Sequence, residues 1–152
     1  MRLSVASAAL FLALAFPHAH ATSSADLLAL DAAGLAQLEV RAEHATTREQ
    51  CFLYTELVHV YTEVAGKQMA AGDMQQASVT LKRIQSFAER IHMGLAQDSK
   101  RLKNAEILMH TTTHHLGQYL HLVSPDDKAV VESTLKQLNK VNEELLAQVF
   151  AR

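Results

Sequence analysis

Residues 74–123 read MQQASVTLKRIQSFAERIHMGLAQDSKRLKNAEILMHTTTHHLGQYLHLV, and the placing of the apolar residues in this stretch decides the fold class. Met74, Ala77, Leu81, Ile84, Ala88, Ile91, Leu95, Leu102, Ala105, Met109, Thr112, Leu116, Tyr119 and Val123 keep an alternating three–four spacing. At 3.6 residues per turn, that spacing lays one apolar seam along a helix, and such a seam needs partner helices against it. Asp98 alone interrupts the register. A single helix over 74–122 would be roughly 73 Å long, which exceeds a compact domain, whereas a break near Asp98-Ser99 gives pieces of about 24 residues. The unbroken heptad and the lack of Gly or Pro at 97–100 favour one rod; the polar seam position and the matched lengths favour two helices. Both readings stay open on the sequence.

Outward from this stretch, the chain is punctuated at few places. Gly72-Asp73-x-x-Gln76 reads as a helix-ending glycine followed by an N-cap and its return partner. Ser124-Pro125-Asp126-Asp127 places a capping serine, a proline at the first helical position and two acids at the positive helix end. Thr46-x-x-Glu49 has capping-box spacing. These cuts predict helices at about 25–45, 48–71, 74–122 and 125–150, with errors of roughly 2–4 residues at each end. The last segment has its own seam at Val131, Leu135, Leu138, Val141, Leu145 and Val149. The second carries a broader stripe of Cys51, Leu53, Tyr54, Leu57, Val58, Val60, Tyr61, Val64 and Ala65. The first is weaker, with Leu28, Leu35, Leu38, Ala42 and Ala45, and Asp31 spoils one of its turns. The alternating Val58, Val60, Thr62 and Val64, and the threonines and Gly117 of 111–123, are poor helix material, but the three–four pattern runs through both stretches. The expected fold is all-α: an up-and-down bundle of four or five antiparallel helices.

The N-terminus is read as an address. Met1-Arg2 precedes an apolar run from Leu3 to Phe16, then Pro17 and a small-x-small site, Ala19-His20-Ala21. These are the parts of a secretory signal peptide, and the run is too short for a spanning helix. Cleavage after Ala21 leaves a single domain, residues 22–152, bound for the periplasm or the exterior, with no later stretch apolar enough to span a membrane. The full chain has 152 residues, 49% hydrophobic and 20% charged, with a formal net charge of −2. That is too apolar for a disordered tail and lacks the basic balance of a nucleic-acid binder. The single cysteine, Cys51, excludes a disulfide framework and any multi-cysteine metal motif. Its stripe places it in the core as an inert apolar filler; the alternatives are a disulfide between two copies or a reactive thiol.

Two constellations carry chemistry. Glu56-x-x-His59 and Glu89-x-x-His92 have the ligand spacing of carboxylate-bridged di-iron bundles, with Glu39, Glu43 or Glu106 as further carboxylates. With Tyr54, Leu57, Tyr61 and Val64 as the seam, however, Glu56 and His59 are expected on the opposite, solvated side, and Glu89 and His92 on a flank. The second is a stripe of His110, His114 and His121, with His115 beside it and Glu106 one turn before. Imidazoles at i and i+4 share a helix face and can chelate zinc, copper or nickel, but His121 reaches the same site only through a bend at Gly117 or a second chain. Residues 53–84 look like the hairpin turn of a tetratricopeptide unit, but no 34-residue period recurs, and no function is carried over from that family.

The functional expectation is therefore an exported, non-catalytic helical-bundle binding or interaction protein, with a protein partner or a second copy of itself, without nucleic acid and without a cofactor. A periplasmic transition-metal-binding protein using His110, His114, Glu106 and His121, with Zn, Cu or Ni, is the alternative. An enzyme with an unrecognised site comes last, since no catalytic motif is present.

Overall fold

The computed structural model describes residues 30–96 and 98–151, so the expected signal peptide lies outside the described residues. It is all-α. The helices are α1 (Ala32–His44), α2 (Thr47–Ala70), α3 (Met74–Gly94), α4 (Leu102–Tyr119), which runs into a 3-10 turn (Leu120–Leu122), and α5 (Lys128–Phe150). Among the described residues, no helix is long and apolar enough to cross a membrane.

Residues 74–122 are two helices, not a rod. Asp98 is exposed, and its backbone carbonyl and carboxylate take the Arg48 guanidinium at 3.1 and 3.2 Å. Lys100 donates its backbone N–H to the Arg48 carbonyl at 2.7 Å, and Arg101 adopts a left-handed conformation (φ 57°) that starts α4. The segment between the helices is thus tied to the first turn of α2. The heptad survives the break because Leu95, just past the end of α3, packs partly buried against the core and Leu102, the first residue of α4, is buried in it.

The connection also sets the arrangement. α2 packs on α3, α3 on α5, α5 on α4 and α4 on α2, so α3 and α4 sit diagonally. Consecutive helices run antiparallel. The diagonal crossing makes α2 parallel to α4, as the pairs His59–Thr112 and Glu63–Tyr119 require. It makes α3 parallel to α5, as Gln85–Thr134 and His92–Glu144 require. α1 lies against α2, where Glu39 accepts from Tyr61 of α2 and from Arg83 of α3.

The local signals account for most boundaries. Gly72 (φ 77°) closes α2: its N–H goes to the Met69 carbonyl at 3.0 Å and the Asp73 N–H to the Gln68 carbonyl at 2.9 Å. This pair of hydrogen bonds satisfies two orphan carbonyls and needs a left-handed residue. Asp73 then caps α3 by accepting from the Gln76 N–H at 3.1 Å. Asp31 does not interrupt a helix but starts one, accepting from the Gly34 N–H at 2.8 Å. The serine expected to cap α5 sits too early: Ser124 bonds the Asp127 carboxylate at 2.8 Å inside a turn, and the helix begins at Lys128. Thr46 likewise bonds the Glu49 carboxylate rather than backbone, so the capping box is not made.

The mainly apolar core takes in several polar side chains, four of them helix-bound threonines. Thr55, Thr62, Thr112 and Thr134 are fully buried, and each gives its hydroxyl proton to the carbonyl four residues earlier, at 2.7 to 2.9 Å. That bond is what lets a β-branched polar residue occupy a dry helix face. Three exposed arginines also lie over aromatic rings: Arg101 3.6 Å from the Phe52 ring centre, Arg83 5.1 Å from Tyr61 and Arg90 5.5 Å from Tyr54.

Candidate functional site

Two regions concentrate polar chemistry, on opposite sides of α4. The outer side faces α5 and holds the histidine stripe. His110, Thr113, His114, Gly117, Gln118 and His121 line an open groove of about 410 Å³, with Leu135 and Asn139 of α5 as the far wall. The groove continues along α5 past Glu132, Lys136, Lys140 and Glu143. The structure thus brings His110, His114 and His121 onto one groove, but α4 runs unbroken through Gly117 and leaves His121 beyond its end, in the 3-10 turn. Glu106 is half-buried and does not line the groove. The Gln118 amide donates to His114 Nε2 at 3.1 Å. Among the described residues, no group of three or more His, Cys, Asp or Glu side chains is placed to hold a metal ion.

The inner side of α4 faces α2. Here the sequence reading needs correction, since Glu56 and His59 are inside the bundle, 1% and 2% exposed. The reason is the position of α2, which packs on α1, α3 and α4 and so has three buried faces rather than one seam. Glu89 and His92 stay on the surface as expected, His92 bonded to Glu144 at 2.7 Å. Two inward-facing Glu-x-x-His motifs are therefore not assembled.

From one end to the other, the α2/α4 interface is a polar seam. Neither Glu56 oxygen has a hydrogen bond, and the Arg41 guanidinium stands 3.5 Å from Oε2. Burial pushes the Glu56 carboxyl above its ordinary pKa, against the pull of Arg41 and Arg101. One turn on, His59 Nδ1 pairs with the Thr112 hydroxyl at 2.9 Å, while its Nε2 is buried without a partner. Burial lowers the His59 pKa; Glu63 opposes this and His115 reinforces it. The next turn holds Glu63, whose carboxylate accepts from His115 Nδ1 at 2.6 Å and from the Tyr119 hydroxyl at 2.8 Å. Burial and that bond to Glu63 push the Tyr119 phenol up to about 12. Gly66, one turn further, gives the Tyr119 ring its place: a Cβ there would lie 2.4 Å from the ring.

Cys51 is 1% exposed, in the core at the start of α2, and burial pushes its thiol up to about 11. A disulfide to a second copy would require that core to open.

No protein-family model, no curated protein and no solved structure matches this chain.

Proposed function

We propose that the chain is an exported, non-catalytic binding protein whose contact surface is the α4/α5 groove. The observation carrying this is the composition of the groove: imidazoles, a hydroxyl and amides beside one leucine, continuing into two lysines flanked by two acids along α5. Hydrogen-bonding groups of both polarities above a small apolar floor suit an extended polar segment of a protein partner or of a second copy. Export rests on the signal-like residues 1–21. The test is site-specific photo-crosslinking in the cells that make the protein, with the cross-linker replacing Asn139 in the groove or Lys82 on the exposed side of α3. The reading expects adducts from position 139 only, weakened by His110→Ala/His114→Ala. Equal adducts from both positions, or none from 139, overturn it.

A second reading is transition-metal binding by His110 and His114, which lie one turn apart on the same groove wall. Its check is calorimetric titration with zinc, copper or nickel. Affinity unchanged in His110→Ala/His114→Ala ends it.

A further inference from the structure

Glu56 is 1% exposed, and both of its oxygens are buried without a hydrogen bond. A carboxyl so placed is at ease when protonated, whereas the ionised form calls for donors or for water. The surrounding elements supply no donor. From α1, the Arg41 guanidinium stands 3.5 Å from Oε2 and makes no hydrogen bond to it. At the head of α4, Arg101 lies over the Phe52 ring and acts on the carboxyl through its charge alone. On the α3 side, Arg90 is taken up by the Tyr54 hydroxyl at 3.1 Å. Along α2 itself, Glu63 is bonded to His115 and Tyr119, and His59 offers a lone pair rather than a hydrogen. The Thr112 hydroxyl has one proton, and it goes to the Leu108 carbonyl at 2.7 Å. Its oxygen can therefore only accept from the neutral His59 ring, so Nδ1 carries the hydrogen and Nε2 is bare and buried.

Of the helices around Glu56, α1 gives way most readily. Among the described residues it has two buried side chains, Leu38 and Ala42, where every other α-helix has five or more. Its hinge to α2 is Ala45-Thr46, extended at both positions. Apart from its apolar contacts, α1 is held by Glu39, which accepts from Tyr61 and Arg83, and by the Gln50 amide on the Ala42 carbonyl at 3.3 Å. Lifting this helix on its hinge brings water to Glu56 while the four longer helices stay packed. The direction follows from the balance at the carboxyl. If ionisation drew Arg41 inward and latched α1 shut, the closed chain would hold Glu56 below its ordinary pKa. Burial outweighs the pull of Arg41 and Arg101 and raises it instead, so ionisation favours the open form.

We propose that α1 is a flap, closed over the protonated Glu56 carboxyl and opened by its ionisation. The experiment is hydrogen–deuterium exchange of the full chain between pH 5 and 8, read by mass spectrometry on peptides from each helix and corrected for the intrinsic pH dependence of exchange. Protection of α1 is expected to fall as pH rises, by up to roughly ten-fold per pH unit, while α3 and α5 keep theirs. In Glu56→Gln the fall should be absent. That variant also separates Glu56 from the other titratable groups of α1, Glu39, Glu43 and His44, since a fall that belongs to them would remain. Arg41→Gln removes the cation nearest the carboxylate and should bring the opening to lower pH. Four outcomes overturn the proposal: α1 protection that does not change with pH, a fall that survives in Glu56→Gln, a fall shared equally by α3 and α5, or an opening that Arg41→Gln leaves in place or moves to higher pH.

Discussion

Tyr119 of α4 packs against Gly66 of α2, so close that a single added carbon at Gly66 would stand 2.4 Å from the ring. This approach carries the Tyr119 hydroxyl to Glu63 and fixes the spacing of the two parallel helices at that end of the seam. Gly66→Ala sets two effects against each other. Alanine favours a helix interior by about 1 kcal/mol, while the ring must leave its place, an overpacking cost of typically 1–3 kcal/mol, and give up its bond to Glu63. Steric cost wins, so the variant should be less stable by about 1–2 kcal/mol. Urea denaturation measures it. A more stable variant would mean that the ring is not seated there.

Glu56 makes stability fall as pH rises. Its folded-state pKa is raised above the unfolded value, so its contribution is complete below about 4.5 and is lost as pH climbs through the folded pKa. Glu56→Gln removes this titration. The stability of the wild type relative to the variant should therefore decline between pH 4 and 8, read from denaturation midpoints at each pH. A difference that does not change with pH would show that Glu56 is solvated.

The opposite sign belongs to His59. Its folded pKa is depressed by burial, with Glu63 opposing and His115 adding to the effect. Its contribution is present above the unfolded value near 6.5 and is lost as pH falls through the folded pKa. His59→Gln should flatten that acid-side loss relative to the wild type. A variant with an unchanged acid limb would contradict the buried neutral imidazole.

Cys51 should be silent in the folded chain. With 1% exposure and a thiol pKa near 11, it presents almost no thiolate at pH 8. A chromogenic disulfide reagent should titrate no thiol in the native protein and one in denaturant. Rapid native labelling, or a dimer that separates on reduction, would contradict the core placement.

The sequence carried the bundle better than it carried the site. The seam residues of 74–123 do face the core, as do Leu138, Val141 and Leu145, because heptad spacing reports one buried face whatever the chain does between helices. Asp98 was ambiguous because the interaction that fixes the break, with Arg48, spans 50 residues. Asp31 has the chemistry of a cap, and its position in a run of alanines and leucines hid it. Glu56 and His59 are buried, although a single seam on α2 puts them on its solvated side, because α2 touches three other helices. The signal was present in the apolar residues of 51–65, which spread over more than one face. The pairing of His59 with Thr112 and of Glu63 with His115 joins residues more than fifty positions apart and has no local signature. The histidine stripe was legible as a face, since its residues lie within one helix and the turn that follows it.

The claim on which the inner seam rests is that His59 is a buried, neutral imidazole with its hydrogen on Nδ1 and a bare Nε2. Long-range nitrogen–proton NMR correlation of the imidazole rings at pH 7 tests it directly. The structure predicts the Nδ1–H tautomer for His59, lost as the protein unfolds in acid. An Nε2–H tautomer, or an imidazolium with both nitrogens protonated at that pH, would contradict it.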